Sequence, residues 1–94
     1  MVYLLVRHSV ADWEKWKPAY DDSNEFRKEA GSLGSQVFTD ADNPNMVTVL
    51  LKWDSLENAQ KFTSSDELKQ KMMEAGVTSQ PAIHFLDLKD ELEM

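Results

Sequence analysis

Three short segments of the chain are apolar at consecutive positions, where an exposed strand would alternate. They are residues 2–6, 46–51 and 83–86, and all three are rich in β-forming side chains. Successive residues of a strand point to opposite faces, so a sheet with one face in water alternates apolar and polar positions. We therefore expect both faces of this sheet to be covered. Helices can cover one face, and the other needs a partner subunit, a ligand, or both.

The segment after the first strand carries an apolar stripe at helical spacing. Its members recur at intervals near three, four and their multiples, and they are Trp13, Trp16, Tyr20, Phe26 and Ala30. Such spacing is typical of a helix that buries one face.

Local signals predict how this first helical region begins, breaks and ends. Ser9 is the expected N-cap, with Asp12 in the first turn, where the helix dipole favours a negative charge. Pro18 lacks a backbone N–H and disfavours helical geometry at Lys17, so we expect a break or kink there. Gly31 is the expected C-terminal cap.

The middle of the chain predicts a hairpin. Residues 35–39 are short and relatively polar, as in an edge strand. Residues 40–45 contain Asp, Asn and Pro, the composition of a turn. Residues 46–53 form the expected third strand.

The second half repeats the pattern of helix and strand. Asp54 with Glu57, and Ser64 with Glu67, have the spacing of a capping box. Two consecutive helices are therefore expected, broken near residues 63–65, with Gly76 closing the second. A fourth strand is expected over residues 82–88.

The predicted element order is βαββαβ. Its usual compact form is an α+β, ferredoxin-like sandwich with an antiparallel sheet in the order 4-1-3-2 and the helices on one face. The first and third strands are then central, and these are two of the three most apolar segments. Residues 1–94 are expected to form one domain, in which residues 89–94, an acidic tail, are frayed.

Composition excludes several classes of function. The net charge of −7 comes from 10 basic and 17 acidic residues, and the basic ones are scattered. Nucleic-acid binding needs a basic patch and is not expected. The absence of cysteine excludes thiolate chemistry and disulfides. Neither a membrane span nor a signal peptide is recognisable, and we expect a cytoplasmic protein with no membrane partner.

The chain resembles the antibiotic-biosynthesis-monooxygenase-like superfamily of small dimeric α+β barrels. Residues 6–16 are similar to its first strand and helix start, and residues 40–44 and 47–53 to its hairpin turn and third strand. Leu56, Ala59 and Phe62, followed by residues 68–76, match its second helical region. The resemblance covers residues 2–88.

This resemblance implies a homodimer in which two sheets pack face to face and the helices lie outside. It also implies that any pocket lies between helices and sheet within each subunit. The superfamily includes cofactor-independent oxygenases, isomerases and haem-degrading enzymes, so the resemblance does not choose one activity.

His8 and His84 are the candidate catalytic residues. If Val6 lies opposite Leu86, the two histidines lie opposite each other on one face. Histidine carries protons near neutral pH. The alternative is that both are packing residues. A metal held with Asp12 lacks a spaced ligand set, so no metal is expected.

Large aromatic and methionine side chains are the candidate ligand-binding residues. A small-molecule pocket is mostly apolar with a few polar groups. The alternative is that they form only the core and the dimer interface. The candidates are Trp16, Tyr20, Trp53, Phe62 and Met72.

Three functions remain open. The first is a homodimeric small-molecule-binding barrel, extending to a cofactor-independent monooxygenase-like or isomerase-like enzyme acting on an aromatic or apolar metabolite. The second is a non-catalytic interaction module whose apolar sheet face serves only dimerisation. The third, haem binding, ranks last because neither histidine lies on a predicted helix. A cavity of about 300 Å3 or more, lined by Trp16, Tyr20 and a histidine, would favour the first.

Overall fold

The computed structural model describes residues 1–93 as a four-stranded antiparallel sheet with four helices. The strands are β1 (Val2–Ser9), β2 (Ser32–Asp40), β3 (Asn43–Trp53) and β4 (Ala82–Asp87). The helices are α1 (Trp13–Asp22), α2 (Asn24–Ala30), α3 (Leu56–Thr63) and α4 (Asp66–Glu74). The strand order β2-β3-β1-β4 is the predicted order read from the other edge. The α+β, ferredoxin-like arrangement is confirmed.

The core lies where the central strands β1 and β3 meet the helices. Leu4 pairs with Leu51 and Val6 with Val49, and their side chains point to the same face. Leu4 is fully buried, and it joins one apolar cluster with Trp16 of α1 and Phe62 of α3. We call this the helix-covered face.

No helix of residues 1–93 lies against the opposite face, and we call it the open face. Leu5 and Leu50 pair directly across β1 and β3 there and are partly exposed. Towards the two edges, half of the Phe38 surface and 41% of the Leu86 surface remain in contact with solvent. The strands are therefore apolar on both faces, but the helices cover only one of them.

A bidentate ion pair joins three strands across the open face. The Arg7 guanidinium donates to both carboxylate oxygens of Asp40, at 2.8 and 2.9 Å, and to the Thr48 hydroxyl at 3.0 Å. The pair lowers the pKa of the Asp40 carboxyl below its ordinary value. It links β1 to β2 through β3 beside the apolar side chains.

The expected N-caps are each displaced along the chain. Ser9 belongs to β1, and Asp12 caps α1 by accepting a hydrogen bond from the Glu14 backbone N–H at 3.0 Å. Ser55 and Ser65 cap α3 and α4, one residue after the predicted Asp54 and Ser64. Several neighbouring side chains can accept a hydrogen bond from the free N–H groups of the first turn. The capping-box spacing alone therefore does not determine which residue is the N-cap.

The predicted break at Pro18 is wrong in position. Helix α1 continues through Pro18 to Asp22, and the interruption before α2 lies at Ser23. The Ser23 N–H bonds the Tyr20 carbonyl at 3.2 Å, while its hydroxyl donates to the Ala19 carbonyl at 3.2 Å. Such back-bonding turns the chain away from the helix axis. The break between α3 and α4, at residues 64–65, is where it was predicted.

The hairpin is longer and tighter than predicted. Strands β2 and β3 each extend beyond residues 35–39 and 46–53, and Asp40 pairs with Asn43. The turn therefore contains only residues 41–42. The polar composition of residues 40–45 marks the turn region correctly, but backbone pairing continues through most of it.

Because Pro18 lies inside α1 and donates no hydrogen bond to the preceding turn, we expect Pro18→Ala to stabilise the protein. A proline in a helix interior costs about 3 kcal/mol relative to alanine. Because α1 is short, we expect the substitution to raise the free energy of unfolding by only part of this, about 1 kcal/mol. Urea unfolding followed by circular dichroism measures the difference. Pro18→Gly, which restores the N–H with a poorer helix former, should gain less. A loss of stability in Pro18→Ala would show that the proline ring itself packs favourably.

Candidate functional site

The two histidines lie on opposite faces of the sheet, so the prediction that they are neighbours is wrong. Val6 pairs with Ile83 where Leu86 was expected, and His84 pairs with Leu5. The register is displaced by three residues, an odd number, which moves every β4 side chain to the other face. His84 is exposed on the open face, whereas His8 lies under the helices.

His8 is a buried histidine without a hydrogen-bond partner at Nδ1 among residues 1–93. Only 4% of its surface is exposed, and its ring meets that of Trp16 edge-on at 5.8 Å. Burial lowers the pKa of His8 below its ordinary value, so the ring is neutral at neutral pH. A buried polar atom without a partner costs about 1–3 kcal/mol. His8 Nδ1 is therefore the first polar atom for which a ligand partner has to be considered.

A cavity lies between the helices and the helix-covered face of the sheet. His8 and Ile83 line it from the sheet, and the lining is otherwise largely apolar. Four of the predicted ligand-binding residues also line it, namely Trp16, Tyr20, Phe62 and Met72. Trp53 does not: it is fully buried, with its ring 4.9 Å from that of Phe62 on the core side.

The cavity has the expected lining but less than the expected volume. Its volume is about 80 Å3, whereas small-molecule pockets begin at roughly 300 Å3. This is room for several waters. A compact ring fits this space better than a large polycyclic compound, and the flexible Met72 side chain can yield to enlarge it.

A column of flat side chains runs along one side of the site, and all of its members except Trp13 line the cavity. Trp13 packs against Trp16 at 5.6 Å between ring centroids, and Trp16 stacks on Tyr20 at 4.9 Å. The Arg27 guanidinium then lies 3.5 Å from the centre of the Tyr20 ring. The aromatic stripe of α1 therefore ends in contact with the positive charge of Arg27.

Two cations line the cavity that sequence reasoning had missed, Arg27 of α2 and Lys71 of α4. The signal was present at Arg27, which follows Tyr20 by seven residues and so continues the apolar stripe. A charged residue at a position where the helix buries its apolar face is informative. Arg27 is in fact 7% exposed.

The site offers acid–base and anion-binding groups but no evident metal ligands. Within residues 1–93, no three His, Cys, Asp or Glu side chains are grouped so as to hold a metal ion. The polar residues that line the cavity are His8, Arg27, Lys71 and a few that carry hydroxyls, Ser23 among them. A neutral imidazole can accept a proton, and the two cations can stabilise the negative charge that remains.

None of the helices formed by residues 1–93 has the length and apolar composition that a membrane span needs.

The buried neutral His8 makes stability depend on pH. Its pKa is lower in the folded protein than in the unfolded chain, where it is near 6.5, so the unfolded chain takes up a proton first as the pH falls. The contribution of neutral His8 is complete above about pH 6.5 and is lost below it, by at most about 1.4 kcal/mol per pH unit.

We therefore expect His8→Gln to flatten the fall in the free energy of unfolding between about pH 6.5 and pH 5.5. Denaturant titrations at both pH values measure it. His84→Gln, at an exposed position on the other face, is the control and should keep the slope that His8 causes. An equal slope in wild type and His8→Gln would show that His8 is not the group responsible.

Comparison with solved structures identifies the same fold. SnoaB, a cofactor-independent oxygenase from Streptomyces nogalater, superposes with a TM-score of 0.78 at 11% identity, covering 99% of this chain and 97% of that one. A crystal structure of an antibiotic biosynthesis monooxygenase gives 0.72 at 12% identity, covering 96% and 100%. A conserved protein from Methanosarcina mazei Go1 gives 0.63 at 17% identity, covering 94% and 92%.

Sequence comparison identifies the family. No curated protein matches the chain. A sequence model described as antibiotic biosynthesis monooxygenase does match, over residues 9–72. That segment runs from the end of β1 through most of α4, and it includes the aromatic column and both cavity cations. The chain belongs to the antibiotic biosynthesis monooxygenase family.

Proposed function

We propose that this chain is a homodimeric small-molecule-binding protein whose cavity takes a compact aromatic or apolar metabolite. A cofactor-independent monooxygenase-like or isomerase-like reaction is the enzymatic form of this proposal. The observation that carries it is the unpartnered Nδ1 of His8, a residue that lines a largely apolar cavity. The acidic composition supports a small-molecule partner over nucleic acid, and the absence of cysteine is compatible with the cytoplasm.

The lining supports binding of an aromatic ring. Trp16 and Tyr20 stack on each other along one wall, and Phe62 contributes to the same cavity. Aromatic pairs in offset or edge-on contact add about 0.5–1.5 kcal/mol beyond the area that they bury. A planar ligand therefore gains both apolar burial and ring contacts in this cavity.

His8 is the group that supports chemistry on such a ligand. A neutral imidazole can take a proton from an acidic C–H or O–H group and leave the electron pair delocalised over the ring of the ligand. In an isomerase-like reaction, that proton returns to another atom of the ligand. In an oxygenase-like reaction, the deprotonated carbon of a CH2 group adds dioxygen, and the proton returns to give a hydroperoxide. Loss of the second hydrogen of that carbon and cleavage of the O–O bond then release water and leave a carbonyl.

If the cavity binds ligands, filling it should prevent binding. We expect single-ring aromatic compounds to raise the melting temperature of the wild-type protein. At a ligand concentration of 100 times the dissociation constant, the free energy of unfolding should rise by about 2.7 kcal/mol. Ala75→Leu, which places a larger side chain at a lining position, should abolish the shift, whereas Met73→Leu at an exposed position of α4 should not. A panel of aromatic compounds that leaves the wild type unshifted would contradict the proposal.

Turnover can be measured separately from binding. Dioxygen consumption or isotope exchange with a ligand found in this way should be lost in His8→Gln while binding is kept. Retained turnover in that variant would remove His8 as the base.

The open face supports dimerisation with a second copy of the chain. Leu5 and Leu50 lie side by side there, with Gln36 and His84 next to them in the edge strands, and no helix of residues 1–93 covers them. Phe38 and Leu86 add exposed apolar surface in the adjoining rows of the same face. Exposed apolar side chains grouped within a polar rim are characteristic of an interface. The resemblance to dimeric α+β barrels favours the same face, which would leave the cavity on the outside of each sheet.

We expect Leu50→Glu to convert the protein to a monomer, because the substitution puts a charge at the centre of the proposed interface. Light scattering coupled to size-exclusion chromatography at micromolar concentration measures the mass. Met73→Glu, on an exposed helix surface, is the control and should remain a dimer. A wild-type protein that is monomeric under these conditions would contradict the interface.

The small volume of the cavity favours a second candidate, a non-catalytic interaction module in which the sheet serves only dimerisation. It predicts a stable dimer with no response to any aromatic compound. The ligand panel and the mass measurement together separate the two functions.

A further inference from the structure

The cavity carries a charge opposite to that of the protein. The chain has a net charge of −7, yet the cavity lining contains Arg27 and Lys71 and includes no aspartate or glutamate. Cations in a largely apolar lining are costly to bury unless something pairs with them. Their presence in an acidic protein therefore calls for a partner of negative charge.

Arg27 uses only part of its hydrogen-bonding capacity within the fold. Its Nη2 donates to the Tyr20 backbone carbonyl at 2.7 Å, which satisfies a carbonyl at the end of α1. The guanidinium also lies over the Tyr20 ring. A guanidinium has five N–H donors in a fixed planar arrangement, and this carbonyl takes one of them. The rest are suited to the two oxygens of a carboxylate.

The α1 carboxylate that acts on Arg27, that of Asp21, is already paired with a lysine. Asp21 accepts two hydrogen bonds from Lys17 Nζ, at 2.6 and 2.8 Å. None of the ion pairs formed by residues 1–93 includes Arg27 or Lys71. Neither cation therefore has an ion-pair partner in the part of the protein that the structure describes, although the Asp21 carboxylate still interacts electrostatically with Arg27.

Arg27 also marks one mouth of the cavity. It lines the cavity together with Tyr20, and the same two residues line an outer groove between the first helices and β2. Lys71 approaches from α4, with Nζ 5.0 Å from the centre of the Phe26 ring. An aromatic ring can thus occupy the apolar interior while an anionic group meets a cation at the boundary.

We propose that the cavity selects an aromatic ligand that bears an anionic oxygen group, a carboxylate or a phenolate, with Arg27 and Lys71 as the anion-binding residues. This inference rests on the proposed ligand-binding function and names its substrate class. Charge-assisted hydrogen bonds are roughly twice as strong as neutral ones, and the apolar surroundings weaken them less than bulk water would. The same cations also favour the anion that proton transfer to His8 would leave on the ligand.

Three compounds of nearly equal shape test the charge preference: benzoate, benzamide and benzamidine, which carry a negative, a neutral and a positive group. Titration calorimetry at low ionic strength, in a buffer without carboxylates or phosphate, gives each affinity. We expect benzoate to bind about tenfold or more tightly than benzamide, and benzamidine to bind most weakly. Equal affinities, or tighter binding of benzamidine, would overturn the inference but leave the pocket in place. Binding of none of the three would overturn the single-ring pocket itself.

Substitution of the cations assigns the preference to residues. Arg27→Met and Lys71→Met should each reduce benzoate affinity by about fivefold or more while leaving benzamide affinity unchanged. Lys69→Met, at an exposed position of α4, makes the same change in net charge and should have little effect. If Arg27→Met does not fold, as judged by circular dichroism, Lys71→Met alone still tests the proposal. Unchanged benzoate affinity in Lys71→Met and in folded Arg27→Met would overturn it.

Discussion

The pairing of the two central strands is the constraint on which the rest of the structure depends. Leu4 opposite Leu51 and Val6 opposite Val49 put the most apolar positions of both strands under the helices. Because side chains alternate along a strand, this one register also sends His8 into the core and Leu5 to the open face. The cavity, its histidine and the uncovered sheet surface all follow from it.

The site departs from the usual rules of an apolar core, although Trp53 Nε1, which does not line the cavity, is also buried without a partner among the described residues. An apolar core is most stable without unpaired polar atoms, yet His8 Nδ1 has no partner in the described chain and Arg27 is buried without a carboxylate. Such departures mark functional positions more often than structural ones, because folding alone would favour apolar side chains there. The two residues flank the Trp16–Tyr20 stack, so both departures occur along one wall.

The two proposed functions of the protein, ligand binding and dimerisation, would use different faces of the sheet. The helix-covered face holds the core and the cavity, whereas the open face presents Leu50 and its neighbours beside the Arg7–Asp40 pair. The proposed dimerisation would use a surface that the cavity does not need. Ligand binding and assembly would then be separable by single substitutions, since Leu50 and Ala75 lie on opposite sides of the sheet.

Sequence alone determined the elements, their order and the sheet topology, because hydrophobic periodicity and turn composition are local properties. It also placed Trp16, Tyr20 and Phe62 on helix faces that turn inward. Only the tertiary structure decided the register of β4, and an odd displacement there was enough to separate His8 from His84. Tertiary contacts likewise brought Arg27 and Lys71 to one cavity. The helix break lies at Ser23 because of local hydrogen bonds that the proline signal at Pro18 did not reveal. Contacts between residues distant in the chain depend on packing, which no local pattern encodes.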